Sequence, residues 1–326
     1  MITIRTQGDK KLIITDELAK DCWVDARNVS REDLSRLENE YHIAQELLAD
    51  IMDPDEQARI EKEDEYTAII VRLPVSDESF EVKHFAVPVG IILFNDKIVT
   101  ICQRSSDVLD DLASSRIRDF SIRNKSAFVL NLMGRAALGY LRALKDLNKS
   151  TNIIERELQK SVKNNELVQL LTIQKSLVFF TTSLKTNELL LEKLQKSSLM
   201  RFKEDEQELL EDVLTDNTQA IEMANIYSSI LTGTMDAFAS VISNNLNMVM
   251  KRLTIVSIVL MIPSMVSGFF GMNVELPFQH APFAFAGILG VSILSAAAGA
   301  LMLGERRKKK IAAIALPYTQ NLMVHR

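Results

Sequence analysis

The chain has 326 residues, of which 47 % are hydrophobic, and a formal net charge of −5. The charge is unevenly spread, because only 8 of the 38 basic and 2 of the 43 acidic residues lie beyond Met250. The first 250 residues therefore carry 41 acidic against 30 basic side chains, which argues against nucleic acid and for cations as partners. Cys22 and Cys102 have no CxxC spacing and no nearby histidine, which argues against a soft-metal centre, and buried free thiols in a reducing compartment are expected.

Residues 1–110 alternate short β-like runs with one helical pattern, which predicts an α/β domain. The strands predicted are Ile2–Arg5, Trp23–Ala26, Tyr66–Leu73, Val82–Val87, Ile91–Phe94 and Lys97–Cys102. The last two are joined by Asn95-Asp96, a pair that favours a tight hairpin turn. Ser30 and Asp33 have the spacing of a capping box, which predicts a helix from there to about Asp50.

Residues 111–250 have the composition of long helices, with no proline and only three glycines. Breaks near Lys149–Asn152, Lys163–Asn165 and Ser197–Phe202 predict two or three antiparallel helices and then a stalk helix from Glu204. No strong stop precedes Gly268, so this helix is expected to continue for ~65 residues into the apolar segment that follows. An ordinary helical bundle that ends at a membrane is the alternative.

Two uncharged runs, Leu253–Phe270 and Phe283–Leu303, have 18 and 21 residues, enough to cross a hydrocarbon core of ~30 Å. We therefore predict a transmembrane domain over residues 251–310, in the plasma or inner membrane. Lys251-Arg252 precede the first span and Arg306–Lys310 follow the second, so both termini are expected on the cytoplasmic side. Residues 311–326 form a tail that is either native or added.

The first span has no ionisable group, which excludes a carboxylate relay inside it. It carries instead a stripe of small, polar or flexible residues at alternating spacings of four and three: Met250, Thr254, Ser257, Met261, Ser264, Gly268 and Gly271. Such residues contribute no stability in contact with lipid. They do allow close approach to a symmetric partner, or they can line a narrow, partly wet pore. Helix packing without a pore is the alternative. Two spans cannot enclose a pore, so conduction would need a ring of subunits.

Gly271, Met272 and Asn273 stand at the outer end of this span, next to a loop that lacks lysine and arginine. Magnesium holds its water shell tightly, so a selective entrance should offer carbonyl and amide groups to the bound waters. A ring of Asn273 side chains and Gly271 carbonyls suits that task. Glycine and asparagine also end ordinary helices, so the tripeptide alone is weak evidence.

The run Asn247–Ile255, followed by Met261, Pro263, Gly268 and Gly271-Met272-Asn273, resembles the CorA family of magnesium channels. The resemblance is specific over about Asp236–Leu303 and weaker over His42–Glu61. It implies a funnel-shaped homopentamer whose cytosolic α+β domain is an αβα sandwich, with long stalk helices and two C-terminal transmembrane helices. The first of these helices would line the pore.

Carried over residue by residue, the resemblance implies a selectivity filter at Gly271, Met272 and Asn273. It places Asn247, Leu253, Met261 and Ser264 on pore-facing positions, beside the stripe members Met250, Thr254, Ser257 and Gly268. It implies an inter-subunit metal site at Asp236 and Asp50, and a further acidic position at Asp212. A solvated acidic face is the alternative for these carboxylates.

Several positions depart from the family pattern. Phe270 stands where many relatives have tyrosine, and Val274–Gln279 replaces their usual loop, a change that bears on the ion preference. Ala49 replaces an acidic residue expected beside Asp50, so the regulatory site is expected to be simpler. Pro263 sits one place from its position in some relatives.

The sequence thus predicts a channel for potential-driven uptake of hydrated magnesium, with cobalt and nickel as further candidate ions, closed by cytosolic divalent cations. No phosphate-binding GxxxxGK[ST] run is present, and neither an organic cofactor nor enzymatic activity is expected. Two alternatives remain: a zinc exporter of the same superfamily and a membrane-tethered helical scaffold. Partners are expected to be further copies of the chain, the lipid bilayer and divalent cations.

Overall fold

A computed structural model describes residues 1–8, 12–114, 121–160, 164–196, 200, 202–272, 282–283 and 285–298. The chain divides into two compact units, an N-terminal unit over Met1–Ala237 and a C-terminal unit over Phe238–Arg326. The N-terminal unit contains the sheet and most of the helices. The C-terminal unit contains the apolar helical segments.

Within the described residues, one mixed sheet of seven strands forms the centre of the N-terminal unit. Its strands are β1 (Ile2–Gln7), β2 (Leu12–Thr15), β3 (Cys22–Arg27), β4 (Arg59–Lys62), β5 (Tyr66–Ser76), β6 (His84–Phe94) and β7 (Lys97–Cys102), in the order β2-β1-β3-β7-β6-β5-β4. Only the central pair β3–β7 is parallel. The tight connection between β6 and β7 at residues 95–96 confirms the predicted hairpin.

Helices cover both faces of this sheet, which makes the unit an αβα sandwich. The helices are α1 (Arg31–Asn39), α2 (Gln45–Met52), α3 (Asp107–Ala113), α4 (Lys125–Lys160), α5 (Asn164–Lys196), α6 (Glu204–Phe270) and α7 (Phe285–Ala298). Successive strand residues point to opposite faces, so Val24 packs with α1 and α2 whereas Trp23 packs with α3 and α4. Trp23 is fully buried, edge-on to Phe128 at 5.2 Å between ring centroids, and donates to Thr100 Oγ1 at 2.9 Å.

The single helix predicted from Ser30 to Asp50 is wrong, because the structure has two helices there. The capping box at Ser30 and Asp33 is present and begins α1. The chain then breaks at His42, whose φ of 56° is left-handed, and α2 begins at Gln45. Tyr41 and Ile43 are both buried. Residues two apart lie on different sides of a helix, so a continuous helix could not bury both in one core.

The two strands predicted at Val82–Val87 and Ile91–Phe94 are one strand, β6. Pro88 lies inside it, but the ladder with β7 ends at Val89, so the missing N–H of Pro88 breaks no hydrogen bond of that ladder. Gly90 is required in β6 because a Cβ atom there would lie 2.2 Å from Cδ1 of Ile51. The glycine therefore lets α2 pack closely on the sheet.

The long helices follow the sequence prediction except at one break. The break expected at Lys149–Asn152 is wrong: α4 continues through it, with Ile154 and Leu158 buried. The predicted start near Glu204 is confirmed, and α6 runs for 67 residues without interruption. Strands β2 and β4 and helix α3 were not predicted, because each is short and has little periodicity to detect.

Candidate functional site

The apolar end of α6 lies exposed on the chain, unlike the other long apolar helix. Both α5 and α6 contain an 18-residue window apolar enough to cross a membrane. In α5, 39 % of that window is buried, so packing inside the N-terminal unit explains its composition. In α6 none of the window is buried, and Leu260, for example, is 65 % exposed. This surface requires lipid or a protein partner.

The second predicted span is described only in part. Its helix α7 runs over Phe285–Ala298, inside the predicted range Phe283–Leu303. Positions 284 and 299–303 lie outside the described residues, as do Arg306–Lys310 and the tail 311–326. The basic end on which the orientation depends therefore stays a prediction.

One face of α6 packs toward α7, and the predicted stripe lies on the other face. The partly buried residues Ile255, Val259, Ile262 and Val266 recur at spacings of four and three, and Pro263 borders a cavity that α7 completes. With 3.6 residues per turn, the stripe lies roughly 180° around the helix from these residues. Its members Met250, Thr254, Ser257, Met261, Ser264, Gly268 and Gly271 are all exposed, as are Asn247 and Leu253. Among the residues that the structure describes, none covers the stripe, so a partner could contact it.

The hydroxyl groups of the stripe all donate their protons to the helix itself. Thr254 Oγ1 donates to the Met250 carbonyl at 2.8 Å, Ser257 Oγ to the Leu253 carbonyl at 2.9 Å, and Ser264 Oγ to the Leu260 carbonyl at 3.1 Å. This back-bonding pattern is typical of serine and threonine in apolar helices. Because each proton is engaged, the oxygens present only lone pairs outward. The stripe is therefore an acceptor surface.

Up to Met272, the outer end of α6 has the backbone hydrogen bonds of an ordinary helix C-terminus. The Gly271 N–H donates to the Ser267 carbonyl at 2.9 Å and the Met272 N–H to the Phe269 carbonyl at 3.4 Å. Gly268 has open space where a Cβ atom would lie, so none of the described residues crowds this position. Asn273 lies outside the described residues. The filter assignment for Gly271, Met272 and Asn273 stays a prediction.

Asp50, a predicted metal ligand, is engaged by an arginine of its own chain. Its Oδ2 atom lies 2.6 Å from Nη2 of Arg59, which begins β4. The same guanidinium pairs with Glu61 at 2.6 Å and with Glu56. One cation thus serves three carboxylates, and the group keeps a net negative charge. Arg59 was missed in the sequence, although acidic residues three before it and two after it were a visible signal.

The other two predicted acidic ligands lie on α6. Asp236 and Asp212 are both exposed, which agrees with a metal site between subunits and equally with a solvated acidic face. In the part of the chain that the structure describes, no three His, Cys, Asp or Glu side chains come together to hold a metal ion. The metal assignment for Asp50, Asp236 and Asp212 therefore stays a prediction.

A buried arginine fixes the loop that follows Asp50. Arg72, 8 % exposed in the middle of β5, donates to the carbonyls of Pro54, Glu56 and Ala86 and to Ser183 Oγ at 2.6–3.1 Å. Burial lowers the pKa of its guanidinium. Arg72 therefore ties the loop between α2 and β4 to the centre of the sheet and to α5. A single charge inside an apolar strand was the signal that could have identified it.

Comparison with known proteins agrees with these features. Residues 19–309 match the family model described as CorA-like Mg2+ transporter protein. The chain is 25 % identical over 277 residues to the cobalt/magnesium transport protein CorA of Methanocaldococcus jannaschii, covering 83 % of this chain and 86 % of that protein. It is 21 % identical over 257 residues to the protein of the same name from Thermotoga maritima, with coverages of 78 % and 73 %.

The fold agrees with a solved structure as well. The complete structure of the CorA magnesium transporter from Methanocaldococcus jannaschii superposes with a TM-score of 0.76 at 23 % identity. The match covers 94 % of this chain and 96 % of that one. The likeness thus extends over both the sandwich and the apolar helices.

Proposed function

The chain belongs to the CorA-like Mg2+ transporter family, and from this premise we propose that it is the subunit of a channel for uptake of hydrated magnesium. As a member it is a membrane protein that transports divalent cations, magnesium and cobalt being named for its relatives. Magnesium is then the substrate, and cobalt and nickel are further candidates. The observation that carries the channel proposal is the exposed acceptor stripe of α6.

The stripe suits the outer surface of a hydrated magnesium ion. Waters bound to the ion point their hydrogens outward, so the lining they meet must accept hydrogen bonds. Thr254, Ser257 and Ser264 offer only acceptor lone pairs, because their protons are held by the helix. A lining of this kind contacts the water shell and leaves it intact. The face carries no fixed charge that would trap the ion.

The channel would be a homopentamer in which α6 lines the pore and α7 lies outside it. One chain has two apolar helices and cannot surround a pore, so conduction requires a ring of copies. The stripe lies away from α7 and is exposed on the single chain, so it can face the axis while the other face of α6 packs on α7. In this arrangement Met261, 65 % exposed, narrows the pore. Asn247, Met250, Leu253 and Gly268 line the rest of it.

Uptake would be driven by the membrane potential and needs no nucleotide. A potential of 100 mV contributes ~2.3 kcal/mol per charge, so ~4.6 kcal/mol for a divalent ion that enters a negative interior. Both termini lie in the cytoplasm, as the basic residues beside the spans predict. The filter of Gly271, Met272 and Asn273 then faces the outside, where the ion arrives with its water shell.

Cytosolic magnesium would close the channel by binding between N-terminal units. Asp50 of one subunit and Asp236 of the next repel each other when the interface is empty. A divalent ion bound between them attracts both carboxylates, so the net interaction becomes favourable. Emptying these sites would let the subunits separate and carry the motion along α6 to Met261. Asp212 is a further candidate ligand on the same helix.

Ion flux into liposomes tests the proposal. Purified protein is reconstituted and exposed to magnesium, cobalt, nickel and zinc under an imposed negative potential, without ATP. We expect magnesium entry in the parent and its loss in Asn273→Ala. Asn244→Ala, the same change off the stripe of α6, is the control and should conduct normally.

The possible outcomes separate the assignments. Absence of magnesium entry in the correctly assembled parent refutes the channel. Normal, selective flux through Asn273→Ala leaves the channel standing but refutes the filter. Transport of zinc alone favours the exporter alternative.

A further inference from the structure

Strand β5 is longer than β4, its neighbour at the edge of the sheet. Strand β4 pairs with β5 only over Thr67–Ile70, whereas β5 continues to Ser76. Arg72 lies two residues beyond Ile70, so its N–H and C=O point to the same edge, where β4 has ended. The side-chain amide of Asn187 on α5 takes the place of the missing strand. Arg72 N–H donates to Asn187 Oδ1 at 2.9 Å, and Asn187 Nδ2 donates to the Arg72 carbonyl at 2.8 Å.

The side chain of Arg72 connects the same residue to a loop and again to α5. Its Nη1 atom donates to the carbonyls of Pro54 and Glu56, at 2.6 and 2.7 Å, in the loop between α2 and β4. Its Nε atom donates to Ser183 Oγ on α5 at 3.1 Å. Ser183 and Asn187 are both buried and lie one helical turn apart, so one face of α5 holds the backbone and the side chain of Arg72. A guanidinium can serve these groups together because it has five donors in a rigid fork.

The loop that Arg72 holds leads to a predicted metal ligand. Glu56, whose carbonyl accepts from Arg72, pairs through its carboxylate with Arg59. Arg59 in turn lies 2.6 Å from Oδ2 of Asp50. A continuous series of polar contacts therefore runs from α5 through Arg72, Glu56 and Arg59 to Asp50. All of it lies inside the N-terminal unit.

We propose that Arg72 couples α5 to this loop and is thereby a positioning residue for Asp50. If α5 moves away, the guanidinium loses Ser183 Oγ as an acceptor. A buried charged group with an unused donor is costly, so the side chain shifts toward water and its bonds to the loop weaken. The coupling is reciprocal, because an ion that holds the loop at Asp50 also holds α5 in place. The inference rests on the proposed function only where it treats Asp50 as a magnesium ligand.

Cleavage of the loop by a protease measures the coupling. The protease Glu-C cuts after glutamate, and the carbonyl of the bond after Glu56 is one that Arg72 holds. Such a bond is cut when its segment opens, so the cleavage rate reports how often the loop is released. The rate is followed on the full-length protein in detergent, from the mass of the fragment 1–56.

Ser183→Ala and Asn187→Ala change α5 and leave the sequence of the loop intact. We expect each to raise the cleavage rate after Glu56 about tenfold, because each removes a buried hydrogen bond of Arg72. Arg72→Lys keeps the charge but loses the rigid fork, and it should raise the rate at least as much.

Two buried side chains of the same types provide matched controls. Ser176 on α5 and Asn217 on α6 each donate to a backbone carbonyl of α5. In the hydrogen bonds of the described residues, neither is a partner of Arg72. Ser176→Ala and Asn217→Ala should therefore leave the cleavage rate after Glu56 unchanged.

Two results would overturn the coupling. Rates equal to the parent's in Ser183→Ala and Asn187→Ala would do so even if Arg72→Lys is cut faster, because Arg72 would then hold the loop without α5. An equal rise in the two control variants would show a general loosening of the unit. If Asn187→Ala does not fold, Ser183→Ala decides the question, since it removes a single hydroxyl group.

A magnesium titration tests the last step separately. An open loop leaves Arg59 less engaged by Glu56 and more by Asp50, so Ser183→Ala should raise the magnesium concentration that half-protects the stalk from protease about twofold. Combined with Arg59→Gln, Ser183→Ala should have no such effect. An unchanged value together with faster loop cleavage would remove Asp50 from the coupling. A parent without magnesium-dependent protection would refute the proposed cytosolic site and leave the loop result intact.

Discussion

Arg59→Gln should make the proposed cytosolic site more sensitive to magnesium, because it removes a cation that already pairs with Asp50. Nη2 of Arg59 lies 2.6 Å from Oδ2 of Asp50, so a divalent ion on the free side of the carboxylate would lie roughly 5 Å from the guanidinium. At the dielectric constant of water, that repulsion is about 1.7 kcal/mol. Asp50 is 42 % exposed, so screening by physiological salt leaves about 0.9 kcal/mol, or about a fivefold change in affinity.

The assay is protease resistance of the stalk across a magnesium titration of the purified full-length protein. For Arg59→Gln we expect the midpoint at about one fifth of the parent's magnesium concentration. Arg59→Lys keeps the charge and should stay near the parent. Arg36→Gln is the matched control, because Arg36 forms an exposed pair with Glu40 on α1 and should leave the midpoint unchanged.

Two results would refute this reasoning. If Arg59→Gln keeps or raises the midpoint, Arg59 does not compete with a bound ion. If Arg36→Gln shifts the midpoint equally, the effect is a general change of surface charge. Asp50→Asn should raise the midpoint, and an unchanged value there would remove Asp50 from the ligands altogether.

Three further predictions concern the pore, the interface and the cysteines. Met261→Ala should widen an apolar constriction and raise conductance. A variant that conducts no better than the parent at both high and low magnesium would make Met261 a packing residue. In Asp236→Lys the new lysine should pair with Asp50 across the subunit interface and protect the closed state from protease without magnesium. If the variant instead needs the same magnesium concentration as the parent for half-protection, the two side chains do not pair. Cys22 and Cys102 should resist maleimide at pH 7 until the protein unfolds, as checked by mass spectrometry, since both are buried and burial raises the pKa of Cys102 to about 11.

Local signals in the sequence predicted the parts of the fold that depend on neighbouring residues. The capping box at Ser30, the turn at residues 95–96 and the start of α6 at Glu204 were found because each has its determinants within a few positions. The break at His42 was missed, because it is set by the burial of Tyr41 and Ile43 in one core. Pro88 inside β6 was missed for the same reason, since only the sheet shows where the β7 ladder ends.

The candidate site divides in a similar way. The stripe on α6 was predictable because it is a periodic property of one helix. The structure adds that its residues are exposed and that its hydroxyl protons are donated to carbonyls of the same helix. Arg59 was not predictable in its role. Its contact with Asp50 depends on β4 returning beside α2, an approach that has no pattern along the chain.

Trp23 is the only tryptophan in the chain, and its buried position makes it an optical reporter for one part of the molecule. Its indole is enclosed by Phe128, Thr100 and the guanidinium of Arg5, 5.6 Å from the ring. Emission excited selectively from this indole therefore originates where the sheet meets α4, inside the N-terminal unit. A denaturation curve recorded this way follows that unit alone, whereas circular dichroism also follows the C-terminal helices. Separation of the two curves would measure how independently the two units unfold.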